Sequence, residues 1–100
     1  MNSSDAPKPP ARISFDLAAL EVSIDGVRVP LTKTEFGIFE FLDRRKGTLC
    51  TRREIIDAVQ GEDYPVTDRS IDVQMASLRK KLGETGKRIA TIRGRGFRFE

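Results

Sequence analysis

The chain has no histidine, a single cysteine and no long apolar run. The first absence removes the commonest general base and the commonest zinc ligand. The second rules out an internal disulfide. Cys50 sits in TLCT beside apolar Leu49 and reads as a small buried side chain, a usage that suits a cytosolic compartment. The third leaves nothing near the ~18 consecutive apolar residues of a membrane span, and no signal-peptide pattern opens the chain. A GKS/T phosphate loop, a GxSxG turn and clustered metal ligands are also missing. The carboxylates Glu62 and Asp63 are adjacent in a polar loop, which does not define a general acid/base pair. These absences predict a protein that is not an enzyme and needs neither cofactor nor metal.

What is present is one small domain's worth of chain, 100 residues with 38% apolar side chains. Residues 1–11, MNSSDAPKPPA, are polar and proline-rich and read as a linker or tail, with the fold confined to residues 12–100. The net charge of +3 is unevenly spread. From Arg69 to Arg98 nine basic residues stand against two acidic ones, a balance of +7, so the remainder carries −4. That asymmetry points to a polyanion met by the C-terminal third.

ISFDLAALEVSIDGVRVPLT alternates in the manner of strands, with Leu20, Val22 and Ile24 and then Val27 and Val29 on one side. Asp25-Gly26 is a two-residue hairpin signal, because both turn positions need positive φ. Three or four short antiparallel strands are expected up to about Leu31. Thr32-Lys33-Thr34-Glu35 and Thr51-Arg52-Arg53-Glu54 are capping boxes that open helices over roughly 33–45 and 52–60. Thr67 caps a third helix over 68–82, whose Ile71, Met75, Leu78 and Leu82 make one apolar row, and Gly83 ends it.

Opposite that row lie Arg69, Val73, Ala76, Ser77 and Lys80. A small or apolar centre between two cations fits a helix laid in a DNA major groove, where Val73 can meet a thymine methyl. A solvated helix face is the other reading. TIRGRGFRFE closes the chain as a hairpin over 89–99. Ala90, Ile92, Phe97 and Phe99 are expected to point inward, with Thr91, Arg93 and Arg98 outward. Its tip carries Arg93 and Arg95 and can follow phosphates or enter a narrow minor groove.

The predicted class is α+β: a winged helix-turn-helix with an N-terminal antiparallel sheet, three helices and a C-terminal hairpin wing. The stretches LTKTEFGIFEFL, TRREIIDAV, DRSIDVQMASLRKKLG and TIRGRGFRF, in order across about residues 31–99, resemble the OmpR/PhoB-type DNA-binding effector domain of bacterial two-component response regulators. The resemblance implies that 68–82 is the recognition helix. Arg69, Val73, Gln74 and Ser77 would then face bases. Arg52, Arg79, Lys80, Thr91, Arg93 and Arg95 would meet the backbone or form the wing contact. The loop 60–67, with Glu62, Asp63 and Tyr64, would meet RNA polymerase. It also implies tandem half-sites on double-stranded DNA, a weak monomer or DNA-induced dimer, a receiver domain in the full-length protein, and a cytoplasmic, nucleoid-associated location away from the membrane.

The chain departs from the family's pattern at four places. Ala76 or Ser77 stands where an arginine is frequent, Gln60 stands for a tryptophan, Phe97 for a tyrosine, and Arg95 is an added wing charge. Sequence preference would then lean on Arg69, Gln74, the wing and DNA shape. A winged-helix protein-docking module without specific DNA readout is the alternative function.

Overall fold

In the computed structural model the described residues are 11–60 and 67–100. Most of the expected linker and loop residues 61–66, with Glu62, Asp63 and Tyr64, lie outside them. The chain opens with strands β1 (Ile13–Asp16), β2 (Glu21–Ile24) and β3 (Val27–Pro30), paired antiparallel in the order β1-β2-β3. The β2–β3 turn is the one that Asp25-Gly26 predicts, with φ of 51° and 84°. Register places Phe15 opposite Val22 and Val22 opposite Val29, so one face of the sheet meets the helices. Val27 continues that alternation but is exposed.

Helix α1 (Lys33–Arg44) and helix α2 (Arg52–Val59) both start at complete capping boxes, on Thr32/Glu35 and Thr51/Glu54. Helix α3 (Asp68–Leu82) starts at Thr67, with Ser70 as the reciprocal partner. Its apolar row is buried as the spacing requires: Ile71, Met75, Leu78 and Leu82. These residues pack with Phe39, Leu42 and Ile55 into one core. Phe39 meets Phe99 edge-on at 5.3 Å between ring centroids, and Phe15 meets Phe36 in the same way at 5.6 Å. Aromatic contacts thus join both sheets to α1.

A 3₁₀ turn over Thr85–Arg88 leads from α3 to the second sheet. That sheet has the order β4-β6-β5, built from β4 (Cys50–Thr51), β5 (Ile89–Ile92) and β6 (Gly96–Phe99). The wing is therefore three-stranded, and the two-residue strand between α1 and α2 was not expected. Cys50 is fully buried, and burial pushes its thiol pKa up.

The inward set of β5 is one residue out of phase with the expectation. Register pairs Ile89 with Phe99 and Thr91 with Phe97, whereas Ala90 faces Arg98 and Ile92 faces Gly96. Directly opposed residues share a face. Ile89, not Ala90, therefore accompanies the two phenylalanines, and it is buried. In a period of two, a shift by one residue exchanges the faces.

Candidate nucleic-acid interface

Helix α3 turns an exposed ridge away from the core: Arg69, Val73, Ala76 and Lys80. Val73 is 63% exposed, so the apolar centre of the ridge is free surface. Of the helix residues expected to face away from the core or toward DNA, two are not fully exposed. Ser77 is half-buried and its hydroxyl donates to Glu35 Oε2 at 2.5 Å. Gln74 is half-buried too and, at about 100° per residue, lies nearer the buried row than the ridge. Neither flank residue stands on the ridge with Arg69 and Val73.

Glu35 explains why Ser77 turns inward. Its carboxylate is 2% exposed yet fully engaged. Oε1 accepts from the Thr32 backbone N–H at 2.9 Å and from Lys81 Nζ at 2.7 Å, while Oε2 accepts from Ser77. Burial alone would raise its pKa, but the bonds from Lys81, Ser77 and Thr32 outweigh that and hold it below the ordinary value. One side chain thereby caps α1 and fixes the middle and end of α3. Only the capping half of that role is visible in the sequence.

The opposite flank of α3 is held by arginines. Arg52 at the start of α2 donates from Nε and Nη2 to Asp72 Oδ1, at 3.0 and 2.8 Å. Arg79 donates from Nε and Nη2 to the Ile89 carbonyl at 3.1 and 2.7 Å, and from Nη2 to Thr91 Oγ1 at 2.6 Å. Both guanidinium groups stand over the Phe97 ring, at 5.0 and 5.5 Å from its centroid. Burial lowers the Arg79 pKa from its ordinary value, but a guanidinium stays protonated in proteins. Phe97 lacks a hydroxyl and serves as the platform that aligns two arginines. Arg79 and Thr91 also lash the wing to the flank of α3.

The wing tip is a three-residue turn, Arg93-Gly94-Arg95, closed by the Arg95 N–H donating to the Ile92 carbonyl at 2.9 Å. Thr91, Arg93 and Arg95 are all exposed. Among the described residues no ion pair occupies Arg69, Lys80, Arg93 or Arg95. By contrast, Arg52 and Lys81 are paired with carboxylates and Arg98 is paired with Glu100. The structure thus divides the basic C-terminal third into internal braces and free cations, and the free ones line the ridge and the tip. Among the described residues no helix is long and apolar enough to cross a membrane, and no group of three or more metal-ligand side chains could hold a metal ion.

Residues 26–99 match the family described as "Transcriptional regulatory protein, C terminal". The chain is 40% identical over 85 residues to the atypical response regulator protein ChxR of Chlamydia trachomatis serovar L2, an alignment covering 85% of this chain and 37% of that protein. It spans well under half the length of such curated relatives. Among solved structures, the DNA-binding domain of response regulator AdeR, in complex with an intercistronic region, superposes with a TM-score of 0.76 at 29% identity, over 93% of this chain and 98% of that one. The DNA-binding domain of Bacillus subtilis CssR gives a TM-score of 0.74 at 31% identity, over 89% of this chain and all of that one (100%).

Proposed function

This chain belongs to the OmpR/PhoB-type family of transcriptional regulatory protein C-terminal domains, and from that premise we propose that it reads double-stranded DNA by sequence as the effector domain of a response regulator. One observation carries the reading: the free cations Arg69 and Lys80 lie on the same exposed face of α3 as Val73 and Ala76, and Arg93 and Arg95 are exposed at the tip of the wing that Arg79 and Thr91 tie to that helix. Helix α3 enters the major groove, where Arg69 addresses a base edge and Val73 and Ala76 permit close approach. The wing tip addresses the adjacent minor groove or backbone. Lys80 and the outward donors of Arg52 and Arg79 meet phosphates, with Thr91 at the wing's edge. Gln74 and Ser77 support the helix from its flank.

The reading extends to the whole protein, because relatives that are regulators run longer than this chain. A receiver domain joins through residues 1–11, residues 12–100 form the DNA-binding unit, and two copies occupy tandem half-sites as a weak monomer or DNA-induced dimer. Glu62, Asp63 and Tyr64 reach RNA polymerase, in the cytoplasm at the nucleoid. The domain acts by binding and not by catalysis.

Two substitutions separate its contacts. Arg69→Ala relaxes sequence preference and costs about 1–3 kcal/mol on the preferred site. Arg95→Ala weakens binding to all duplexes and flattens the salt dependence by roughly one unit. With about five phosphates neutralised, log K falls against log salt with a slope of about −4 to −5. A fluorescence-anisotropy titration on specific and scrambled duplexes over a salt series reads all three. Equal effects of both substitutions on both duplexes would contradict this division of labour and favour a docking module or nonspecific binding.

A further inference from the structure

We propose that Asp72 is a specificity-determining positioning residue, which tethers Arg52 so that its guanidinium reaches a phosphate only when α3 is seated in register. This rests on the DNA reading above and assigns a role within it. The Arg52–Asp72 pair spans the two helices of the helix-turn-helix, from the first residue of α2 to the second turn of α3. It is neither a core brace nor a loose surface pair, since the Arg52 side chain is 31% exposed and that of Asp72 54%. Three restraints fix the guanidinium: two hydrogen bonds to Asp72 Oδ1 and the face of Phe97. Those two bonds use two of the five guanidinium N–H groups, which leaves both on Nη1 and one on Nη2 to donate to a phosphate.

The consequence for binding follows from what phosphate contacts do. They set the position of a protein on the duplex and supply most nonspecific affinity. A free arginine finds a phosphate in any register, which strengthens correct and incorrect complexes alike. A tethered arginine meets one only where the helix places it. Asp72 also stands beside Val73 on the exposed side of α3, so its carboxylate repels the backbone of any duplex whose phosphates are not matched by Arg52. Both effects penalise misregistered complexes more than the seated one.

The test uses the full chain, the duplex recovered by selection from a random library, and a scrambled duplex of the same composition. Asp72→Asn keeps the shape and removes the charge. It should tighten binding to the scrambled duplex about threefold to tenfold and steepen its salt slope by about one. The preference for the selected duplex should fall about fivefold or more. In an Arg52→Gln background the same substitution should change the preference by less than about twofold, because the tethered group is gone. Thermal unfolding of each variant shows that the fold is kept, as a half-open ion pair allows. An unchanged preference in Asp72→Asn would overturn the inference, as would an equal loss on both duplexes or the same shift in both backgrounds. A wild-type chain that does not distinguish the two duplexes would instead remove the DNA reading itself.

Discussion

Glu35→Ala lowers the unfolding free energy by about 2–4 kcal/mol, more than any surface charge change in this chain. Loss of the reciprocal cap on α1 accounts for about 1 kcal/mol of that. The remainder comes from stranding two groups on α3. Lys81 Nζ and Ser77 Oγ both end on the Glu35 carboxylate, and removing one member of a buried pair leaves the other without its partner. The Lys81 side chain is 38% exposed and can turn to water, which keeps the loss below that of a fully buried pair. Glu35→Gln retains an acceptor for Thr32 and should lose less. Urea unfolding checks both, with a lower midpoint and an unchanged slope.

The pH dependence has a defined sign. Glu35 is held below its ordinary 4.5 in the folded protein. Its stabilising contribution is therefore complete above the unfolded value and is lost as pH falls through the lower, folded one. Wild type should lose stability on acidification below about pH 4.5 more steeply than Glu35→Gln does. Parallel acid limbs in the two proteins would show that the carboxylate is not the stabilising form.

Gly96→Ala should damage the wing more than any other single methyl group. A Cβ there would lie 2.1 Å from the Cys50 carbonyl oxygen and 2.9 Å from Thr51 Cα, with φ at 152°. Both obstacles are backbone, so relief requires β4 and β6 to separate. Phe97 and Phe99 leave the core with β6, and Phe97 is the surface on which Arg52 and Arg79 are aligned. We expect a loss of at least about 3 kcal/mol, and weakened DNA binding even where the protein stays folded. Gly94→Ala is the internal comparison. Its φ of 74° is also unfavourable for other residues, but nothing lies within 4 Å of the added atom. It should cost about 1–2 kcal/mol. Thermal melts that rank the two variants equally would mean that close approach between β4 and β6 is not what requires Gly96.

Local chemistry was legible in the sequence, and long-range pairing much less so. Thr32/Glu35 and Thr51/Glu54 announced two helix starts because both halves of a capping box lie within four residues. Asp25-Gly26 announced a hairpin for the same reason. The ridge of α3 followed from helical spacing alone. The phase of β5 did not, since Ala90 and Ile92 are as apolar as Ile89 and only pairing with Phe97 and Phe99 decides between them. The two-residue strand at Cys50 is too short to show an alternation.

The flanks of the site were hidden for a related reason. Ser77 lies 42 positions from Glu35 and Lys81 lies 46. No periodicity connects such residues, so a serine on the outer half of α3 reads as a base contact until its partner is seen. The family resemblance makes Arg52 and Arg79 phosphate ligands, and the structure adds the internal partners that orient them.

Sequence-specific DNA binding requires that the ridge of α3 and the arginine wing together distinguish one duplex sequence from another. A binding selection with this chain on a randomised duplex library at moderate salt tests it most directly. An enriched motif is expected, arranged as a direct repeat of short half-sites, whose enrichment falls in Arg69→Ala. Measurable binding with no enriched motif would contradict it.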